Sequence, residues 1–191
     1  MNIARTFLSV TFSLFFCTQS FAFSYPAALN TSAATDTGND WLSQLTTDGL
    51  GTWIATWASQ DELGGTIGTD LDILYAVSTD AGLNWCAPAA LNSNATTDTG
   101  GDFHPQLTTD GLGTWIATWE SDDDLGGTRA VLDSSRIMNA VSTDAGLNWS
   151  APAALNPNAA TDTGRSSFPI ITTDGLAACG KSRRDYTSPY F

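Results

Sequence analysis

The chain has 191 residues, with 20 acidic side chains against seven Lys or Arg and a formal charge of −13 at neutral pH. Nucleic acid and anionic membrane surfaces are disfavoured as partners, because both carry the same sign as the protein. All but Glu62 and Glu120 of the acids are Asp, a bias that favours turns over helices.

The N-terminus carries one positive charge at Arg5, then an apolar run from Phe7 to Phe16 and small residues at Ser20 and Ala22. This is the pattern of a secretory signal peptide, residues 1–22, cleaved after Ala22. The run is too short to span a membrane. Cys17 follows Phe16 rather than a small residue, so no lipoprotein anchor is expected. The expected location is therefore secreted or periplasmic. Cleavage removes Arg5, which takes the charge to −14 (6 − 20), and leaves a chain the size of one domain. Export also makes a disulfide between the two remaining cysteines, Cys86 and Cys179, permissible. Cys86 stands where the next repeat has Ser150, so the position does not require sulfur.

An internal repeat dominates the rest. Ala27-Ala28-Leu29-Asn30 recurs from Ala89 and again, at a nearly equal step, from Ala153; Asp36-Thr37-Gly38 recurs at Asp98 and Asp162. The run from Gln44 to Trp57 returns almost unchanged from Gln106 to Trp119. A long period built from strand-like pieces points to stacked β units. The units read as residues 27–88, 89–152 and a partial 153–176.

Each unit is expected to hold four short strands. In the second they are Leu107–Thr109, Thr114–Trp119 with Trp115, Ala117 and Trp119 on one face, Ile137–Ser142, and Ala153–Leu155. Asp110-Gly111 is a turn signal between the first two. Gly and Asp recur too often for a regular helix. After Leu176 the repeat should continue with Gly-Thr-Trp, but residues 177–191 turn basic and read as a divergent tail, out of frame or a truncation scar.

Two identical octets, Ser78 to Trp85 and Ser142 to Trp149, lie one repeat apart. The Asp heads a tight turn whose side chain accepts backbone N–H groups, the Gly supplies a positive φ, and the Trp starts the return strand. Each octet reads S-x-D-x-G-x-x-W, which resembles the Asp-box, or bacterial neuraminidase repeat, of the sialidase-like β-propellers. The resemblance implies an all-β, sialidase-like β-propeller, incomplete here at about two and a half four-stranded blades, against roughly four to eight in closed propellers. It also implies that Ser78, Asp80, Gly82 and Trp85, with Ser142, Asp144, Gly146 and Trp149, are structural residues of the turn. Open blade edges would invite self-association.

The sialidases of that family hold the substrate carboxylate with three arginines and use a Tyr–Glu pair with an Asp acid/base. No Lys or Arg occurs between Phe23 and Thr128, and no arginine stands two residues before Pro105 or Pro169. No catalytic residue can be carried over. Glu120 with Asp122, Asp123 and Asp124 reads as a solvated acidic loop. Calcium, the other use of clustered aspartates, would find oxygen near Asp98–Asp102 and Asp122–Asp124. Neither fits an EF-hand loop, so no metal site or cofactor is assigned and calcium stays an open reading. Trp41, aligned with Phe103, is the position expected to stack on a sugar ring. The reading is an exported, non-catalytic Asp-box module that binds glycans or protein partners through blade loops. A fragment of an exo-α-sialidase or related glycoside hydrolase, and an inactive truncated product, are the alternatives.

Overall fold

The computed structural model describes residues 27–36, 38–123, 135–156 and 164–173. The signal-peptide segment, Asp124, Cys179 and the divergent tail lie outside them. Among the described residues eight strands form and no helix does, so none is long and apolar enough to cross a membrane. β1 (Asp40–Thr47), β2 (Trp53–Ser59), β3 (Asp72–Ser78) and β4 (Ala89–Ala90) make one antiparallel sheet in that order. β5 (Asp102–Thr109), β6 (Trp115–Ser121), β7 (Arg136–Ser142) and β8 (Ala153–Ala154) make the second.

Local chemistry sets the hairpins. Asp48 Oδ1 accepts from the amides of Leu50 (2.7 Å) and Thr52 (3.0 Å), and Asp110 does the same for Leu112 (2.8 Å) and Thr114 (3.0 Å). That Asx geometry closes β1 onto β2 and β5 onto β6, with Thr47 opposite Trp53 and Thr109 opposite Trp115. The repeated Asp-Thr-Gly needs its glycine for close approach. A Cβ at Gly38 would overlap the main chain of Gln60 and Asp61, and one at Gly100 that of Asp122 and Asp123.

Strand alternation then assigns two different faces to each sheet. Ile54, Ala58, Ile73, Tyr75 and Val77 of the first sheet pack against Trp115, Ala117, Trp119, Met138 and Ala140 of the second, with Leu91 and Leu107 completing the cluster. The opposite face of the first sheet, Ala55, Trp57, Leu74 and Ala76, is covered by Leu29, Leu63, Ile67, Trp85 and Ala90. Each sheet thus has a tryptophan face and an isoleucine face, and the interface joins one of each. Trp115 and Trp119 are essentially fully buried there. Side chains of that size dominate the apolar burial that holds the sheets together.

Three expectations need correction. β5 begins at Asp102 rather than Leu107, and it passes Phe103-His104-Pro105 through a register shift between Phe103 and Gln106. Pro105 lacks an amide, so it is tolerated at a bulge where the ladder is interrupted. The return strand does not start at the octet tryptophans. Trp85 and Trp149 precede short strands at Ala89 and Ala153, and the way back is held by Cys86 N to Val77 O and Ser150 N to Val141 O, both 2.9 Å. No strand forms over residues 164–173, the described part of the third unit.

Candidate functional site

In both octets the side chains close a ring of hydrogen bonds. Ser78 Oγ donates to Asp80 Oδ1 (2.7 Å) and accepts from Gly82 N (2.9 Å), while Asn84 donates N–H to Asp80 Oδ1 (2.8 Å) and Nδ2 to Oδ2 (2.6 Å). Ser142, Asp144, Gly146 and Asn148 repeat the same four bonds at 2.8, 2.9, 2.9 and 2.6 Å. The Asp therefore reaches four residues on, further than the one or two of a simple Asx-turn. Ala81 and Ala145 share the left-handed backbone with Gly82 and Gly146. The donors, Asn84 and Asn148 first, hold Asp80 and Asp144 down at about 2. Both carboxylates are occupied by their own turns.

A second arrangement lies where the bulges of β1 and β5 meet. Leu42 (φ 56°), His104 (φ 53°) and the equivalent Phe168 (φ 55°) all adopt left-handed backbone. Bulky residues hold such conformations at a cost of about 1–3 kcal/mol each, and such strain clusters at functional places. The bulge turns the side chains outward. Trp41, Leu42, Ala58, Leu71, Phe103 and His104 line a groove of ≈ 340 Å³. His104 tilts against Phe168 at 4.4 Å and against Phe103 at 6.4 Å between ring centroids. Trp41 is 42% exposed and Phe168 69%.

Glu120 lies under this shelf and is 1% exposed, not a member of a solvated loop. Its Oε1 accepts from Ser135 Oγ (3.0 Å) and Arg165 Nη2 (3.0 Å), and its Oε2 lies 3.2 Å from His104 Nδ1. Desolvation pushes its carboxyl up, but the Ser135 and Arg165 hydrogen bonds and the guanidinium charge outweigh it, and the net shift is downward. Asp123 is also buried.

The third arrangement spans the two sheets. Asp70 and Asp72 at the head of β3 meet Asp98 on the β4–β5 connection, with one carboxylate oxygen of each within 4.8 Å of the others. Asp102, opening β5, joins through Leu71 O, which accepts its amide at 2.7 Å. Asn92 organises the group, donating to Asp72 Oδ1 (2.7 Å) while its own oxygen accepts from Ile73 N (3.1 Å). Burial first, and then mutual repulsion, raises Asp72 to about 7 and Asp98 to about 6. Asp102 rises well above the usual range for the same reasons. Sequence reading singled out Asp98 and Asp102 but missed Asp70 and Asp72, because the contact joins two units and no local spacing signals it.

No family model matches the chain, and no curated protein matches it. Among the solved structures similar to parts of it, two illustrate the range. One is a Hadza microbial sialidase, 23% identical, covering 61% of this chain and 26% of that one with a TM-score of 0.48. The other is an N-acetylgalactosamine deacetylase from F. plautii, solved with blood group B trisaccharide, at 15% identity, 62% and 37% coverage, and a TM-score of 0.44. The chain spans about a quarter of the first protein's length and little more than a third of the second's.

Proposed function

We propose that this chain is an exported Asp-box module, built as successive blades of a β-propeller, that binds carbohydrate at the bulge shelf without turning it over. One observation carries the reading. Trp41 and Phe103, equivalent positions of two repeats, are brought by the bulges to line one open groove. An aromatic wall with a few convergent polar groups is how small-ligand sites are commonly built, and His104 supplies a polar tip within it. The octets are framework in this reading, since their carboxylates are taken up by their own turns. The half-buried face of the second sheet, with Ile116, Ile137 and Val141, is where a further blade seats, from this chain or from a second copy.

Glycan-array binding of the full chain tests this, with Trp41→Ala and Phe103→Ala measured beside it. Each substitution is expected to weaken binding about tenfold, roughly 1.4 kcal/mol, with no release from a fluorogenic sialoside. Unchanged binding in both variants would sink the shelf. Hydrolysis of the sialoside would transfer the argument to the glycoside hydrolase reading.

A further inference from the structure

We propose that Asp70, Asp72 and Asp98 hold a calcium ion between the two sheets. The inference is independent of the carbohydrate reading. Clustered acids alone would not carry it; the orphaned oxygens do. Asp72 is 1% exposed, one of its oxygens is held by Asn92, and Oδ2 has no hydrogen-bond partner. Asp102 is 1% exposed and its Oδ1 is likewise without one. Asp70 Oδ2, Asp98 Oδ1 and Asn94 Oδ1, close by in sequence and contact, are further buried oxygens without a donor. Each such group costs about 1–3 kcal/mol, and more when charged, unless something satisfies it.

The unpartnered atoms of this cluster are all oxygen, and three of its carboxylates each bring one oxygen within reach of the others. That donor set suits a hard cation, and bonds of about 2.3–2.6 Å let calcium bridge oxygens up to about 4.8 Å apart. The charged groups acting on these carboxylates are one another and Asp123. No Lys or Arg exists between Phe23 and Thr128 to compensate them.

The repeat supplies an internal control. Asp72 pairs with Ser59 at the end of the β2–β3 ladder, and Arg136 occupies the same place opposite Ser121 in the β6–β7 ladder. Where the first unit has Asp70, Asp72, Asp98 and Asp102, the second has Ser134, Arg136, Asp162 and Ser166 in sequence. The formal charge of the set changes from −4 to 0 (+1 − 1). At the second position the chain provides its own cation, and Arg136 Nη1 donates to Asp123 O at 2.7 Å. At the first it provides ligands instead.

The test is thermal unfolding of the chelator-treated full chain at fixed ionic strength, with CaCl2 or MgCl2 added. Calcium at a hundredfold excess over its dissociation constant is expected to raise the unfolding temperature by about 5–10 °C. Asp70→Asn combined with Asp98→Asn is expected to weaken the response at least tenfold, while Glu62→Gln, an exposed carboxylate, leaves it intact. Asp72→Arg, which copies the other ladder, is expected to fold in chelator and ignore calcium. No calcium shift in the parent chain would overturn the proposal. So would an equal shift with magnesium, which marks general screening, or a full calcium response in Asp72→Arg.

Discussion

The phenol of Tyr75 donates a 3.3 Å hydrogen bond to the main-chain oxygen of Leu147, far along the chain in the second octet. Tyr75 also meets Trp149 edge-on at 5.9 Å. The second octet is therefore a contact between sheets as well as a turn within one. The two octets share every residue, but their surroundings differ.

That difference predicts unequal costs for one substitution. A Cβ at Gly146 would collide with Ile54, whereas at Gly82 the nearest atom would be Trp85 Cζ2 at 3.9 Å. Both glycines have positive φ, so each alanine introduces about 1 kcal/mol of backbone strain. Gly146→Ala is expected to cost about 1–3 kcal/mol more for the overlap. Urea unfolding of the two variants measures the gap, and equal midpoints would refute it.

The tryptophans separate into two classes. Trp115 is buried completely between the sheets, so Trp115→Ala is expected to cost about 3–5 kcal/mol. Trp41→Ala, at an exposed shelf position, is expected to stay within about 1 kcal/mol of the parent in stability while its glycan binding weakens about tenfold. A large stability loss at Trp41 would make it a core residue and remove its role in recognition.

Cys86 Sγ accepts the Val77 amide at 3.1 Å, and Ser150 Oγ accepts the Val141 amide at the same distance. Cys86→Ser is therefore expected to change stability by no more than about 0.5 kcal/mol, read as an unchanged urea midpoint under reducing conditions. A larger loss would show that sulfur does more there than the hydroxyl does in the other unit.

Two sets of aspartates give opposite pH slopes. Asp80 and Asp144, held at about 2 against 3.8 for a free side chain, stabilise the fold above pH 4, and this is lost as pH falls through 2. Asp72 and Asp98 are raised, so the metal-free fold retains protons that the unfolded chain has shed. Their contribution is complete below 3.8 and lost as pH rises through about 6 to 7. Urea midpoints in chelator are thus expected to peak near pH 4–5 and decline toward pH 8. Asp72→Asn should flatten the upper limb; a midpoint still climbing from pH 5 to 8 would contradict the assignment.

The repeat made the strand inventory legible, since Trp115, Ala117 and Trp119 alternate away from Ile116 at strand period. The octet residues announced a turn through their chemistry alone. What escaped reading depended on tertiary placement. Nothing local shows that Glu120 passes under the shelf to Arg165, or that Phe103-His104-Pro105 belongs to a bulged strand. The meeting of Asp72 with Asp98 is set by the stacking of two sheets, which no single unit encodes.

The unlike faces of the sheets impose a direction on assembly. The face carrying Trp115 and Trp119 receives the isoleucine side of its neighbour, so the contact between the sheets is unlike on its two sides. A copy added through the same kind of contact would enter in the same orientation as the last, head-to-tail. Such a series ends only when its accumulated rotation brings the final unit round to the first; otherwise it continues as a filament.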